Sequence, residues 1–176
     1  MEIRKIAAGS PDMPVLEAIN EEAIPEEERC ALSDMIATGA TVCCIDVNRE
    51  PAGFTAVRYF RNLVYLAYFA VRNDLRSKGI GGSALRELIR QHPGKQIVVE
   101  YEAPGPGCAS NDMRLRRKQF YLRNGFHETG WHTCYDGTEF EIGCSQQDFD
   151  SEQFRAFAAD IAKVVSDYIP NPFRKA

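Results

Sequence analysis

Hydrophobic positions change their period several times along the 176 residues, and each change predicts an element. Glu2 to Ile6 reads as a short strand. Ser10-Pro11-Asp12-Met13-Pro14 then leads into a helix with the apolar stripe Val15, Leu16, Ile19 and Ala23, proline being tolerated in a first turn. A second helix is predicted over Glu26 to Thr38, with Leu32, Met35 and Ile36 inward and Gly39 as its stop. From Thr41 the pattern changes to strands. Strands are predicted at Thr41 to Val47, Ala52 to Phe60 and Leu63 to Val71, with turns at Asn48-Arg49-Glu50-Pro51 and Arg61-Asn62. Ile80, Ala84, Leu85, Leu88 and Ile89 define the apolar face of a helix from Gly79 to Gln91, and His92-Pro93-Gly94 breaks it.

Gln96 to Glu102 reads as a buried strand, followed by a Gly- and Pro-rich loop, Ala103 to Ser110, of the kind that borders ligands. A helix from Asp112 to Asn124 and a hairpin (Phe126 to Cys134, Thr138 to Ser145) turning at Tyr135-Asp136-Gly137 follow. The last helix, about 150–169, can be capped by Asp150 or Ser151 with Gln153. Phe154, Phe157, Ala158, Ile161, Val164, Val165 and Tyr168 keep one stripe until Pro170. That stripe has to bury against its own sheet or, in a homodimer, against a second copy. No repeat, low-complexity tract or linker interrupts the chain, so one domain spanning 1–176 is expected, of a length that suits a single core.

Composition narrows the function. A net charge of −4 argues against nucleic acid as the main partner, since phosphate backbones require a basic surface. No apolar run approaches the ~18–20 residues that span a bilayer, and the opening MEIRKIAAGSPD lacks the apolar centre of a signal peptide. The six cysteines form no CxxC and no Cys/His cluster with zinc-ligand spacing, so no metal is expected. They read as reduced residues of a cytoplasmic protein. Cys43, Cys44, Cys134 and Cys144 suit small apolar filler in strands. Cys108 is open to a nucleophilic reading, although nothing nearby in sequence would activate it.

The richest stretch is Leu63 to Gly82, where a buried strand gives way to Arg76-Ser77-Lys78-Gly79-Ile80-Gly81-Gly82 at a helix start. First-turn N–H groups have no intrahelical partners, the helix dipole favours an anion, and glycine lets a ligand approach the backbone. This is a turn suited to a diphosphate. Val71 followed by Arg76-x-x-Gly79-x-Gly81 resembles the acyl-CoA signature of the GNAT N-acetyltransferase superfamily. Arg116-Arg117-Lys118-Gln119-Phe120-Tyr121-Leu122-Arg123-Asn124-Gly125-Phe126 is similar to that family's tyrosine-bearing helix and its exit into the next strand. The two motifs stand in the family's order and roughly at its spacing, and the likeness covers about Thr41 to Cys144.

The resemblance implies an α/β (α+β) GNAT fold: a mixed, mostly antiparallel sheet flanked by helices, here with an added C-terminal helix. Acetyl-CoA would be the acyl donor, entering at the splay beside Val71, and a primary amine of a small molecule or peptide the acceptor in a ternary complex. Arg76, Ser77, Lys78, Gly79, Ile80, Gly81, Gly82 and Ser83 would hold the pyrophosphate, and the backbone of Phe69, Ala70 and Val71 the pantetheine and thioester carbonyl. Tyr121 takes the place of the family's tyrosine, as the acid for the CoA thiolate; tyrosine, near ~10 unperturbed, is protonated at neutral pH. Its other reading is aromatic packing beside Phe120.

Glu100 and Glu102, two apart on a strand, share a face and are candidate bases, with His127 and His132 as alternatives. The acidic residues Glu17, Glu21, Glu22, Glu26, Glu27 and Glu28 could gather basic substrates or form a solvated face. The chain departs from the family seven residues before the tyrosine. Asn is frequent there; this chain has Arg114, and Asn111 lies three positions too early. Arg114, Arg116, Arg117, Lys118 and Arg123 against Asp112 leave the helix basic, either to meet the CoA 3′-phosphate or to face solvent.

Gly79-x-Gly81-x-x-Ala84 also fits a dinucleotide fingerprint, but the residues from Arg72 to Lys78 separate it from the strand and the preceding strands form hairpins. A P-loop lacks its Gly-Lys-Ser/Thr. The rival from another class is a GNAT-fold protein that binds acyl-CoA without transferring the group, as a sensor or scaffold.

Overall fold

The strand-like stretch after Thr41 becomes three successive strands in the computed structural model, which describes residues 1–106, 110–165 and 171–175, apart from the Glu27 side chain. They are β2 (Thr41–Val47), β3 (Glu50–Phe60) and β4 (Leu63–Val71). Strand β1 (Glu2–Ile6) and helix α1 (Met13–Ala23) precede them, with α2 (Leu32–Ala37). After β4 come α3 (Ile80–Gln91), β5 (Gln96–Glu102), α4 (Asn111–Leu122), β6 (His127–Tyr135), β7 (Thr138–Cys144), α5 (Ser151–Ile161) and β8 (Phe173–Arg174). The strand order is β1-β2-β3-β4-β5-β7-β6-β8. Pairing is antiparallel at β1/β2, β2/β3, β5/β7, β6/β7 and β6/β8, and parallel at β4/β5 over Leu63–Tyr65. This is the mixed, mostly antiparallel α/β sheet that the resemblance implies.

The chain divides into two compact units, one of Met1–Tyr59 with Leu66–Leu88 and one of Phe60–Tyr65 with Ile89–Ala176. In the first, α1 and α2 cover a core of Ile6, Leu16, Ile19, Leu32, Met35, Val42, Phe54 and Ala70. Val15, placed inward by periodicity, is 44% exposed, because Met13 at the helix start takes the inner position. The single helix expected over Glu26 to Thr38 is broken. A short 3-10 turn, Glu26–Glu28, is followed by extended residues before α2 begins. Side chains of α1 hold the break: Asn20 donates to Cys30 O at 2.9 Å, and Glu17 Oε1 accepts from Leu32 N at 2.7 Å and Ser33 N at 3.4 Å. Glu17 thus caps α2 from outside, and a local pattern cannot reveal that.

A buried carboxylate joins β1 to β2. Asp46, 5% exposed, accepts from Arg4 Nε at 2.5 Å and from the Cys44 thiol at 3.2 Å, while Arg4 also pairs with Asp12 at 2.8 Å. Asp46→Ala is expected to cost about 2 kcal/mol in a denaturant melt. That is less than the ~3–5 kcal/mol for breaking a fully buried pair, because Arg4 stays 37% exposed and keeps Asp12.

In the second unit α5 buries Phe154, Phe157, Ala158 and Ile161. Phe157 lies 5.0 Å from the ring of Tyr65 and 6.2 Å from that of Phe60, so the stripe packs on its own chain. The helix starts where expected, with Asp150 Oδ1 accepting from Gln153 N at 2.9 Å, but ends at Ile161. Val164 lies beyond it and is exposed, and Tyr168 falls outside the described residues. Strand β8 has no counterpart in the hydrophobic pattern. Two residues are too short to show a period, and β8 is held by Trp131, which has Arg174 at 5.1 Å and Arg155 at 5.2 Å over its ring.

Candidate active site

The predicted diphosphate turn is tied to the end of β4. Arg76 Nε donates to Val71 O at 3.1 Å, and Arg72 N donates to Ala52 O at 2.9 Å, extending the strand onto β3. Arg72 also grips Asp74 through two bonds of 3.0 and 2.7 Å. Gly53 on β3 makes room for this strand end, since a Cβ there would lie 2.3 Å from Ala70 O and 3.1 Å from Val71 Cα. Beyond Arg76 the backbone turns left-handed twice, at Ser77 (φ 62°) and Gly79 (φ 80°). A Cβ on Gly79 would meet nothing within 4 Å, so its positive φ, not space, calls for glycine.

The first amide of this run with an acceptor is Ser83 N, which donates to Gly79 O at 3.0 Å. Among the described residues none accepts from the N–H groups of residues 77 to 82. Six unpartnered amides, running from the left-handed residues into the first turn of the twelve-residue α3, form a donor set of the kind that receives phosphate oxygens. The exposed Arg76 and Lys78 add positive charge. These residues fit a diphosphate.

In the other unit, Tyr121 sits on α4 with 8% of its surface exposed. Its ring is stacked on Tyr101 at 5.5 Å and 14° and meets Phe120 and Phe126 edge-on. The Asn124-Gly125-Phe126 exit locks this end of the helix. Asn124 Nδ2 donates to Phe120 O at 2.8 Å, Phe126 N donates to Tyr121 O at 3.3 Å, and Gly125 takes a φ of 95°. Burial pushes the Tyr121 hydroxyl up to about 12, against a small opposing pull from Arg117.

A hydroxyl held at about 12 when folded and near ~10 when unfolded favours the folded state below pH ~10. Between pH 10 and 12 the unfolded chain loses that proton first. We expect stability to fall over that window by ~2–3 kcal/mol from this residue. Denaturant midpoints at pH 9.5 and 11.5 check it, and Tyr121→Phe should flatten the slope.

Glu100 and Glu102 share a face of β5 but differ in surroundings. Glu100 accepts from three hydroxyls, Tyr65 at 2.7 Å, Tyr135 at 2.9 Å and Thr133 by a shorter contact. Glu102 is ion-paired with Arg114 at 2.8 Å and Arg117 at 3.7 Å. Tyr101, the residue between them, points to the opposite face, toward Tyr121. Arg114, which stands where the family favours Asn, also donates to Ala103 O at 3.1 Å, and Asn111 accepts from Gly105 N at 2.9 Å. Both side chains therefore hold the loop after β5.

The basic face of α4 is largely occupied. Lys118 pairs with Glu128 and, at 2.8 Å, with Glu141, and Arg123 lies over Phe120 at 5.5 Å. His132 Nδ1 lies 2.6 Å from Glu139 Oε1 and His127 lies 3.2 Å from Gln147. Among the described residues no group of His, Cys, Asp and Glu could hold a metal. Cys44 and Cys144 are buried filler and Cys43 is half-buried, but Cys134 is exposed, since the β6 bulge between Glu128 and His132 resets the alternation. Cys108 lies outside the described residues.

Residues 38–128 match the family described as the acetyltransferase (GNAT) domain. The chain belongs to the GNAT acetyltransferases. No curated protein sequence matches it. Among solved structures, the GNAT chain is similar to a GNAT-family protein from Bacteroides thetaiotaomicron, at 21% identity and a TM-score of 0.75, covering 96% of this chain and 99% of that one. A GNAT acetyltransferase from Elizabethkingia anophelis with acetyl-CoA bound matches at 18% identity and a TM-score of 0.61, covering 82% and 97%. The Escherichia coli ribosomal-protein-S18-alanine N-acetyltransferase matches at 16% and 0.63, covering 85% and 95%. At these identities the likeness is one of fold. The dinucleotide reading of Gly79-x-Gly81-x-x-Ala84 falls with this assignment and with the antiparallel β2/β3 pair ahead of the motif. No helix among the described residues is long and apolar enough to cross a membrane.

Sequence reasoning missed the partners of the two carboxylates and the role of Gly53. Tyr65, Thr133 and Tyr135 are far from Glu100 in sequence, and a glycine in a strand signals a close approach without saying to what.

Proposed function

We propose that this GNAT protein transfers an acetyl group from acetyl-CoA to a primary amine of a small molecule or peptide, by direct attack in a ternary complex. The observation that carries the reading is the run of unpartnered amides from Ser77 to Gly82, tied through Arg76 to the end of β4. Those amides, with Arg76, Lys78 and Ser83, would receive the pyrophosphate. The backbone of Phe69, Ala70 and Val71 would hold the pantetheine and polarise the acyl carbonyl. Bound acetyl-CoA supplies an activated thioester; everything else falls to the chain.

Tyr121 is the proposed acid. With its hydroxyl at about 12 it stays protonated across the neutral range, and it serves the leaving sulfur first as a hydrogen-bond donor. Full transfer to a thiolate near ~8.5 would be uphill by about 3.5 in pKa. Of the two carboxylates, Glu100 is the better base. It accepts from hydroxyls that can reorient, whereas two guanidiniums hold Glu102. The whole chain acting as one domain in the cytoplasm fits this chemistry.

Calorimetric titration of the purified protein with acetyl-CoA tests the reading, with NAD as control. It is followed by a thiol assay of CoA release over a panel of a lysine peptide, a peptide with a free α-amine, spermidine and an aminoglycoside. Micromolar acetyl-CoA binding that weakens at least tenfold in Gly81→Glu, with CoA release on one amine, is expected. No heat with acetyl-CoA sinks the reading. Binding with no release on any amine turns it into the sensor or scaffold.

A further inference from the structure

Three rings surround Tyr121, and they differ in what they can do. Phe120 is its neighbour on α4 and Phe126 follows the same helix end, so both move with it. Tyr101 belongs to β5, is 1% exposed, and gives the parallel contact, 5.5 Å and 14°. The next layer is Gly143 on β7, opposite Val99 in the register. A Cβ on Gly143 would lie 3.1 Å from Tyr101 Cε1 and 3.2 Å from Val99 Cγ1, so the missing side chain leaves the space that the Tyr101 ring fills. The Tyr101 hydroxyl is buried near Glu141 yet meets no acceptor in hydrogen-bond geometry among the described residues.

We propose that Tyr101 is a positioning residue for Tyr121: its ring, seated in the space left by Gly143, fixes the plane of the Tyr121 phenol and so the direction in which that hydroxyl presents its proton. The inference rests on the reading of Tyr121 as the acid. A parallel ring from a sheet strand restricts rotation about the Tyr121 side-chain axis in a way that aliphatic packing does not. Catalysis is sensitive to such orientation, and a displacement of about 1 Å can cost ~100-fold.

The test measures kcat and the acetyl-CoA KM, with the amine identified by the panel above, for Tyr101→Leu, Tyr101→Phe and Tyr121→Phe. Tyr101→Leu should lower kcat by ~10–100-fold with KM within about twofold, and Tyr101→Phe should restore both. Wild-type turnover in Tyr101→Leu, where Tyr121→Phe has lost it, overturns the inference alone. Wild-type turnover in Tyr121→Phe overturns the reading of Tyr121 and takes this inference with it. A second readout needs no turnover. In protein labelled with 3-fluorotyrosine, the Tyr121 fluorine resonance, assigned by its loss from Tyr121→Phe, should be displaced in Tyr101→Leu and stay in place in Tyr101→Phe. Should Tyr101→Leu fail to fold, Gly143→Ala takes its place in both measurements, and a Tyr121 resonance that does not move in it overturns the proposal.

Discussion

Gly53→Ala is expected to weaken acetyl-CoA binding at least tenfold and to lower stability by ~1–3 kcal/mol, the range for forcing extra volume into a packed site. The cause is local. The added methyl would sit 2.3 Å from Ala70 O and 3.1 Å from Val71 Cα, and both are backbone atoms that no rotamer change can move away. The strand end must shift, and with it Val71 O, which accepts from Arg76, and Arg72 N, which donates to Ala52 O. One methyl on β3 therefore reaches the turn whose amides we assign to the pyrophosphate, although Gly53 itself touches no ligand. Thermal melts and calorimetry of the same samples separate the two effects. An alanine variant with wild-type midpoint and affinity would show that the strand end is not held where the structure places it.

Tyr121→Phe is expected to reduce kcat by ~10²–10³-fold, the usual contribution of a positioned acid. The acetyl-CoA affinity should stay within about twofold. Phenylalanine keeps the stack on Tyr101 and the edge contacts with Phe120 and Phe126, so the fold should persist and the loss should be chemical. The wild-type pH–rate profile gives a second check. Because burial holds this hydroxyl at about 12, it remains a donor throughout the measurable range, and Tyr121 should produce no alkaline fall in kcat below pH 11. A fall near pH 9 that disappears in Tyr121→Phe would contradict the burial seen here.

The features legible in the sequence were those set by neighbours along the chain. The continuous apolar run from Leu63 to Val71, the Arg61-Asn62 turn and the glycines after Arg76 each declare themselves locally, and each lies where its pattern puts it. Contacts between distant residues did not declare themselves. Glu17, inside α1, caps the start of α2 fifteen residues on, and a 29-to-31 break appears where periodicity predicts a continuous helix. Glu100 and Glu102 look alike as a pair two apart, yet one gathers hydroxyls and the other guanidiniums. Whether a residue packs, pairs or reacts is set by what crosses from the next strand, and a single sequence carries no record of that.

The two residues of β8 do more than their length suggests. By pairing Arg174 with Trp131 and Phe173 with His132 they occupy hydrogen-bonding positions on the outer side of β6, which would otherwise be open to any extended chain. A version of the protein shortened to residue 170 would carry that side of β6 bare and lose Arg174 from the face of Trp131. Its solubility, more than its activity, would report the change, so a purification tag is better placed at the N-terminus.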